Sequence, residues 1–229
     1  MNKLVRIMSI SQPPTLRRAS LADLVYERLT AQILGGELAS GANINLSDIS
    51  RDLGVSSIPV REAVVRLGCE GLVCCETNRR ATVEEFTRDC VIENFQLREF
   101  LETGAACLTA ERIGDEELSE LRELDASISA ISGQVETAAE LFALEDQFHR
   151  KLVTGSGNQL LLREYTLCQN RITAIRSNWL RDADVSKSLP LPDHGAILGG
   201  LESHCPETTS QAVADHIREA LAQMILTLT

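Results

Sequence analysis

Leu46-Ser47-Asp48-Ile49-Ser50-Arg51-Asp52-Leu53-Gly54-Val55-Ser56-Ser57-Ile58-Pro59-Val60-Arg61-Glu62-Ala63-Val64-Val65-Arg66-Leu67 is the stretch that decides the fold. It reads as two short helices. The first runs roughly from Ser47 to Leu53, capped by Ser47 or its neighbour. Gly54 stands where a helix end needs a residue tolerant of positive φ. Ser56-Ser57 precede the second helix, and Pro59 falls in its first turn, where a missing N–H costs little. That helix runs to about Glu70, and Gly71 stops it. Ile49, Leu53, Val55, Val60, Val64 and Leu67 supply one small core between two crossed helices. The N-terminal turns of the second helix are then left free to enter a major groove.

The flanks complete the unit. Ser20 starts a helix in which Leu21, Leu24, Val25, Leu29 and Ile33 recur at helical spacing, and Gly35-Gly36 end it. Gly41-Ala42-Asn43 reads as a turn. After Gly71, Leu72–Glu76 is a β-rich run, Thr77–Arg80 a polar turn, and Ala81–Val83 a second short strand, which together make a hairpin. Three helices and a hairpin in this order predict a winged helix-turn-helix.

Its DNA-facing candidates follow. Ser56, Ser57, Ile58 and Arg61 lie on the leading edge of the second helix. Short hydroxyls beside a helix N-terminus suit phosphate oxygens, and so does Ser47 on the first helix. Arg61 suits guanine or a phosphate. The bland alternative for Arg61 is a pair with Asp52 or Glu62, but sequence neighbours on a helix do not face each other. Asn78, Arg79 and Arg80 at the hairpin tip are placed to reach the adjacent backbone or minor groove. Arg66 reads as a solvated surface residue.

The string Leu-Ser-x-Ile-x-x-x-Leu-Gly-Val-Ser-x-x-Pro-Val-Arg-Glu-Ala-Val-x-x-Leu-x-x-x-Gly-Leu-Val, from Leu46 to Val73, resembles the GntR family of bacterial regulators. The resemblance implies a DNA-binding transcription regulator. This sequence departs from the family at Ser57 and Ile58, where Arg and Thr are usual, and at its wing tip, where glycines are usual.

Charge is unevenly spread. The net charge is −11, yet residues 1–86 carry ten Lys/Arg against ten Asp/Glu, and residues 87–229 carry 12 against 23. The acidic excess lies wholly in the second part, and the local field rather than the total steers DNA. The boundaries expected are a flexible arm at 1–18, the winged helix-turn-helix at 19–86, and an all-helical domain at 87–229. No signal peptide is apparent, no run approaches the roughly 20 apolar residues of a membrane span, and no membrane partner is expected. Seven scattered cysteines suit a reducing, cytoplasmic compartment. Adjacent Cys74 and Cys75 raise redox or soft-metal sensing, but without a CxxC pair they read more simply as strand residues facing opposite ways.

From about Thr87 the periodicity is helical throughout. The segments run approximately 88–112, 115–132, 135–154, 157–182, 191–203 and 208–227, separated by glycines and prolines. Six such helices make a bundle, so the whole chain is expected to be mainly α. Around residues 141–153, Leu141, Leu144, Phe148 and Leu152 form the apolar face. Glu145 sits near its centre and His149 on its flank, while Asp146 and Arg150 point outward. A carboxylate centred on an apolar face is costly unless paired or ligating. Glu145 and His149 are i, i+4 neighbours, with Cβ atoms roughly 5–6 Å apart, so both can reach one ion. His194 shares a face with Ile197, Leu198 and Leu201. His216 flanks Val213, Ile217, Ala220 and Met224. His204, in a polar turn, is expected to be exposed. Three imidazoles and a carboxylate suit zinc, nickel, manganese or iron, with positions left open.

This second half resembles the FCD effector domain of one GntR subfamily. The resemblance rests on Glu145-Asp146-Gln147-Phe148-His149, His194 and His216. The subfamily often binds a divalent metal through these positions beneath a carboxylate effector, with Asp usual where Glu145 stands. Arg98 and Arg176 are candidates for holding the effector carboxylate. Arg98 also has Glu102 at i+4 as a simple ion-pair partner. The regulator expected is a homodimer on double-stranded operator DNA, since paired reading helices suit a pseudo-palindromic site, and it responds to a small carboxylate metabolite. Two alternatives stay open on residues alone: a metal-dependent hydrolase or lyase, and a metal-ion sensor.

Overall fold

A computed structural model describes residues 20–75, 80–131, 138–182 and 192–227. The arm at 1–18 and the wing-tip residues Asn78 and Arg79 lie outside them. The chain begins with helix α1 (Leu21–Leu34), opened by a capping box. Ser20 Oγ accepts from the Asp23 N–H, and the Asp23 carboxylate accepts from the Ser20 N–H. This satisfies two donors that a helix start otherwise leaves orphaned. Val25, Leu29 and Ile33 bury against Val60, Ala63, Val64 and Leu67 of α3 (Ser57–Cys69). Leu21 and Leu24, expected on the same stripe, are instead exposed, at 56% and 52%. Leu24 lies about 100° around the helix from Val25, off the stripe that continues through Leu29 and Ile33, and Leu21 stands in the first turn.

Helix α2 (Leu46–Leu53) comes between α1 and α3 in the chain and packs on α3. Its cap is Asn45, whose side-chain oxygen accepts from the N–H groups of Ser47 and Asp48. Ser47 is thus inside the helix and exposed rather than capping it. Gly54 closes α2 at φ 63°. The wing has three strands, not two: β1 (Asn43–Ile44), β2 (Val73–Cys75) and β3 (Ala81–Val83), in the order β1-β3-β2 and all antiparallel. Asn43, read as part of a turn, pairs with Thr82. The Val83 N–H donates to Ala42 O and the Gly41 N–H to Val83 O, so the turn runs straight into the ladder. Two residues are too few to show the period-2 alternation that marks a strand in sequence. Cys74 and Cys75 lie on β2 and both are exposed.

The remaining described helices are α4 (Arg88–Ala110), α5 (Asp115–Ile131), α6 (Ala138–Gly155), α7 (Gln159–Asp182), α8 (Gly195–Glu202) and α9 (Pro206–Thr227). Helix α4 is central, packing against α6, α7 and α9. Val91, Phe95, Arg98, Glu102, Ala105 and Thr109 line its buried seam at alternating steps of three and four. Two corrections concern the ends. Helix α8 begins at Gly195, so His194 precedes it rather than riding on its face; the Asp193 carboxylate accepts the Gly195 N–H and starts the helix there. Helix α9 begins at Pro206, where a proline suits the first turn. His204 is exposed as expected, with φ 48° and Nδ1 at 3.0 Å from Ala110 O. No described helix is long and apolar enough to cross a membrane.

The cap assignment is open to a direct check. Asn45→Ala should cost about 1 kcal/mol in denaturant unfolding, since it orphans donors at the start of α2. Ser47→Ala should change stability by less than half of that. The reverse order would return the cap to Ser47.

Candidate functional site

Two sites stand out, one on the surface of the winged helix and one in the centre of the bundle. At the surface, Ser56 and Ser57 sit exposed at the start of α3, and Ser56 makes no side-chain capping hydrogen bond. Ile58 is 67% exposed beside them. Arg61 is exposed, and among the described residues it forms no ion pair, so neither Asp52 nor Glu62 holds it. Arg61, Ser47 and Arg80 line one groove with Asn43 and Asn45. Arg66, read as merely solvated, is engaged: it pairs with Asp23 and Glu70 and lies over the Tyr26 ring at 3.6 Å. It joins α1 to α3.

In the bundle, Glu145 and His149 of α6, His194 before α8, and His216 of α9 converge. All four are at most 5% exposed, and one ligand atom from each lies within 4.8 Å of every other. His149 Nε2 is 3.1 Å from His216 Nε2. Glu145 Oε2 is 3.6 Å from His149 Nε2, 3.6 Å from His194 Nε2 and 3.9 Å from His216 Nε2. The Phe148 ring stacks on His194 with centroids 3.9 Å apart.

The other ring nitrogens fix the tautomers. His149 Nδ1 lies 2.6 Å from Glu102 Oε2, and His194 Nδ1 lies 3.0 Å from Asp125 Oδ1. His216 Nδ1 lies 3.3 Å from the Asp193 carbonyl oxygen. Carboxylates and carbonyls only accept, so each Nδ1 carries the proton. The three neutral imidazoles then turn Nε2 lone pairs toward one another and toward a carboxylate. Four acceptors meeting in a buried space repel unless a cation stands among them. Nitrogen and oxygen donors with ring nitrogens held from behind are the donor set of a divalent metal site. Glu145 Oε1 and His194 Nε2 have no hydrogen-bond partner among the described residues, which fits the same conclusion.

Burial opposes the charge of Glu145, but the neighbouring His149 and His194 outweigh it and hold its carboxyl well below the usual range. Burial, then the neighbouring His149 and His194, depress His216 to about 2, so its imidazole is neutral and free to ligate. For His149, burial works against protonation and Glu102 outweighs it, so its value is raised: a proton on Nε2, facing His216 Nε2, is the competitor that a cation among these groups would displace.

Arg98 adjoins the cluster through Glu102. Glu102 Oε1 accepts from Arg98 Nε at 2.5 Å while its other oxygen faces His149. The simple i, i+4 pair is therefore real, yet both Arg98 Nη atoms remain without a partner among the described residues, as does the Tyr165 hydroxyl. Burial and the Glu102 charge push the Tyr165 hydroxyl well up, so it stays a neutral donor. Arg176 is held differently: Nη1 donates to Asp146 Oδ1 at 2.8 Å, and the guanidinium lies over the Phe142 ring at 4.8 Å. Asp146 was expected to point outward. It faces α7 instead, accepting also from Gln169 and Thr173.

The sequence reading missed Asp125, and it weighed Glu102 only as a pair for Arg98. An Arg and a Glu in the middle of the apolar seam of α4 were the visible signal for Glu102. Asp125 carried none, because its distance from His194 along the chain hides the contact.

A winged helix beside a helical bundle with a buried polar centre is the build of a DNA-binding regulator with an effector domain. Family comparisons agree. Residues 21–83 match the model of bacterial regulatory proteins of the gntR family, and residues 93–219 match the FCD domain. The chain belongs to the FCD-bearing gntR family of transcription regulators. It is 29% identical over 185 residues to the Nta operon transcriptional regulator of Aminobacter aminovorans, covering 81% of this chain and 85% of that one. It is 27% identical over 208 residues to the "Probable D-xylose utilization operon transcriptional repressor" of Paenarthrobacter nicotinovorans, covering 88% of each. The solved structure of E. coli McbR/YncC shares the fold, with a TM-score of 0.71 at 22% identity over 93% of this chain and all of that one. The family consists of regulators rather than enzymes, so the hydrolase or lyase alternative falls.

Glu102 gives a stability prediction. Its carboxyl is pulled to about 2 from an ordinary 4.5: burial works against this, and Arg98 and then His149 prevail. A depressed carboxylate stabilises the fold above its unfolded value, and that contribution is lost as pH falls from about 4.5 towards 2. Glu102→Gln should cost on the order of 3 kcal/mol at neutral pH, because it leaves a buried guanidinium unpaired. It should also lack that acid-range loss. Chemical denaturation at several pH values measures both effects.

Proposed function

We propose that this regulator senses a small organic acid in the bundle core, next to a divalent metal held by Glu145, His149, His194 and His216. The observation that carries this reading is the meeting of three Nε2 atoms and one carboxylate oxygen within 4.8 Å of one another, each ring held from behind through its Nδ1. Zinc, nickel, manganese or iron suits the donor set. A bound ion would supply Lewis-acid attraction for a carboxylate. The chain's own groups would do the rest: the unpartnered Arg98 Nη atoms and the Tyr165 hydroxyl are donors suited to an acid's oxygens. Arg176, tied to Asp146, would serve at the edge of such a ligand rather than its centre.

On DNA, α3 would present Ser56, Ser57 and Arg61 to the major groove, with Ser47 and Arg80 on flanking phosphates. Exposed Ile58 stands where the family has Thr and suits contact with a thymine methyl. Asn78 and Arg79 would extend the contact from the wing. Two copies would pair to set two α3 helices on a pseudo-palindromic operator in the cytoplasm. The arm at 1–18, the reader at 19–86 and the sensor at 87–229 would divide the work.

Elemental analysis tests the metal. Wild-type protein should carry about one divalent ion per chain, and His149→Ala/His194→Ala should retain about a tenth or less. Equal metal content in the two would reject the site. Titrating operator affinity with metal alone, and then with simple dicarboxylic acids, separates an acid sensor from an ion sensor.

Arg61→Ala should weaken operator binding by on the order of 1–3 kcal/mol, measured by anisotropy at several salt concentrations. Unaltered binding would remove Arg61 from the interface.

A further inference from the structure

Helix α7 belongs to two cores at once. Cys168, Ile172, Ile175 and Trp179 pack in the core of the bundle. Ala174 is fully buried in the core of the winged helix, among Val25, Ile33 and Leu67. Three polar residues beside Ala174 then take hold of the reader at three separate points.

Arg171 spans the first. Its Nη1 donates at 3.0 Å to the carbonyl of Glu70, the residue that closes α3, and its Nε donates at 2.7 Å to the Asn94 side chain on α4. A guanidinium there also meets the negative end of the α3 dipole. Ser177 Oγ donates at 2.5 Å to the carbonyl of Leu34, the last residue of α1. Asn178 Oδ1 accepts from the Ser40 N–H at 2.7 Å, and its amide donates back to Ala174 O.

The backbone is shaped for these contacts. Gly36 and Gly71, just past the ends of α1 and α3, have φ of 73° and 74°. A Cβ at Gly36 would stand 3.4 Å from the Ser177 carbonyl oxygen, and one at Gly71 would stand 3.2 Å from Arg171 Cδ. Both turns combine left-handed backbone with close approach to the same helix, two demands that glycine meets at least cost. On the opposite side of α7, Tyr165, Gln169 and Arg176 are buried, and Gln169 and Arg176 hold Asp146 next to the cluster ligand Glu145.

We propose that Arg171 is the positioning residue for α3 in operator binding, and that α7 is the member through which changes around Asp146 and Glu145 reach the reader. The inference rests on α3 being the DNA-reading helix. Without the fork to Glu70 and Asn94, the C-terminal end of α3 loses its polar tie to the bundle and keeps only the apolar packing around Ala174. The contacts of Arg61 and the α3 N-terminus are intact, but their placement is not.

The test compares full-length wild type with Arg171→Ala and Arg171→Lys. In Arg171→Ala, amide exchange over residues 66–72 should quicken about tenfold or more, while residues 141–153 keep the wild-type rate. Affinity for a DNA fragment from the promoter region of its own gene should fall about tenfold. Arg171→Lys keeps the charge at the helix end without the fork, and should recover part of both. Unchanged exchange at 66–72, or a rise spread evenly over the bundle, overturns the proposal. So does faster exchange with unaltered DNA affinity. If wild type fails to bind the fragment, the reading of α3 is at fault, and the exchange data still decide whether Arg171 docks it. Should Arg171→Ala fail to fold, Asn94→Ala removes the other arm of the fork and is read in the same way.

Discussion

The carboxylate of Glu102 is completely buried, and it must satisfy two cationic or polar neighbours at once. A buried charge left alone costs several kcal/mol, and a pair is tolerated only when its remaining lone pairs are used. Glu102 uses one oxygen on Arg98 within α4 and the other on His149 of α6. That second contact fixes which ring nitrogen of His149 carries the proton. The free lone pair is thereby aimed at Glu145, His194 and His216. The register of α6 against α4 and the chemistry of the cluster are thus one constraint. Sliding α6 by a turn would strand both the carboxylate and the imidazole.

Asp125 of α5 does the same for His194, and the Asp193 carbonyl does it for His216. Each imidazole is therefore oriented from a different element. The cluster cannot form unless α4, α5, α6 and α9 are all in place, and once formed it opposes their separation. Arg98 extends the arrangement outward. One guanidinium nitrogen is fixed by Glu102, and the other two are desolvated and without a hydrogen-bond partner among the described residues. A buried cation with unused donors is costly unless a further acceptor reaches it, which is the physical ground for the acid-sensing proposal.

Much of this was legible in the order of residues. The run from Leu46 to Val73 specified two helices, their turn and the exposed edge of α3, because caps and glycines there act over three or four residues. Glu145, His149 and His216 were singled out from helical spacing, since a polar residue on an apolar face stands out on a wheel; His194 was singled out on the face of a helix that it in fact precedes. What stayed hidden was non-local or too short. Strand β1 exists through its pairing with β3, not through any propensity of Asn43-Ile44. Asn45 outcompeted Ser47 as the cap by two positions, finer than boundary rules resolve. Asp146 looked outward-facing on its own helix, and it is α7 that covers it. Asp125 acts across helices, where no spacing rule reaches.

The net charge of −11 also looks different in three dimensions. Acidic residues concentrate in the bundle, whereas Arg61 and Arg80 share a groove on the reader. A bundle of that sign repels the DNA backbone and favours approach by the reader alone. Transmission between the two parts then needs a mechanical link, and a link transmits only if a ligand binds two arrangements with different affinity. Helix α7 meets the structural half of that condition. Its side facing Asp146 lies beside the ligand-seeking cluster, and the side bearing Arg171, Ser177 and Asn178 fixes the ends of α1 and α3. A shift or rotation of α7 that accommodates one charge near Asp146 must move both helix ends, because packed cores yield by discrete rearrangement rather than by smooth deformation. By reciprocity, DNA that selects one placement of α3 must alter affinity at the cluster by the same factor.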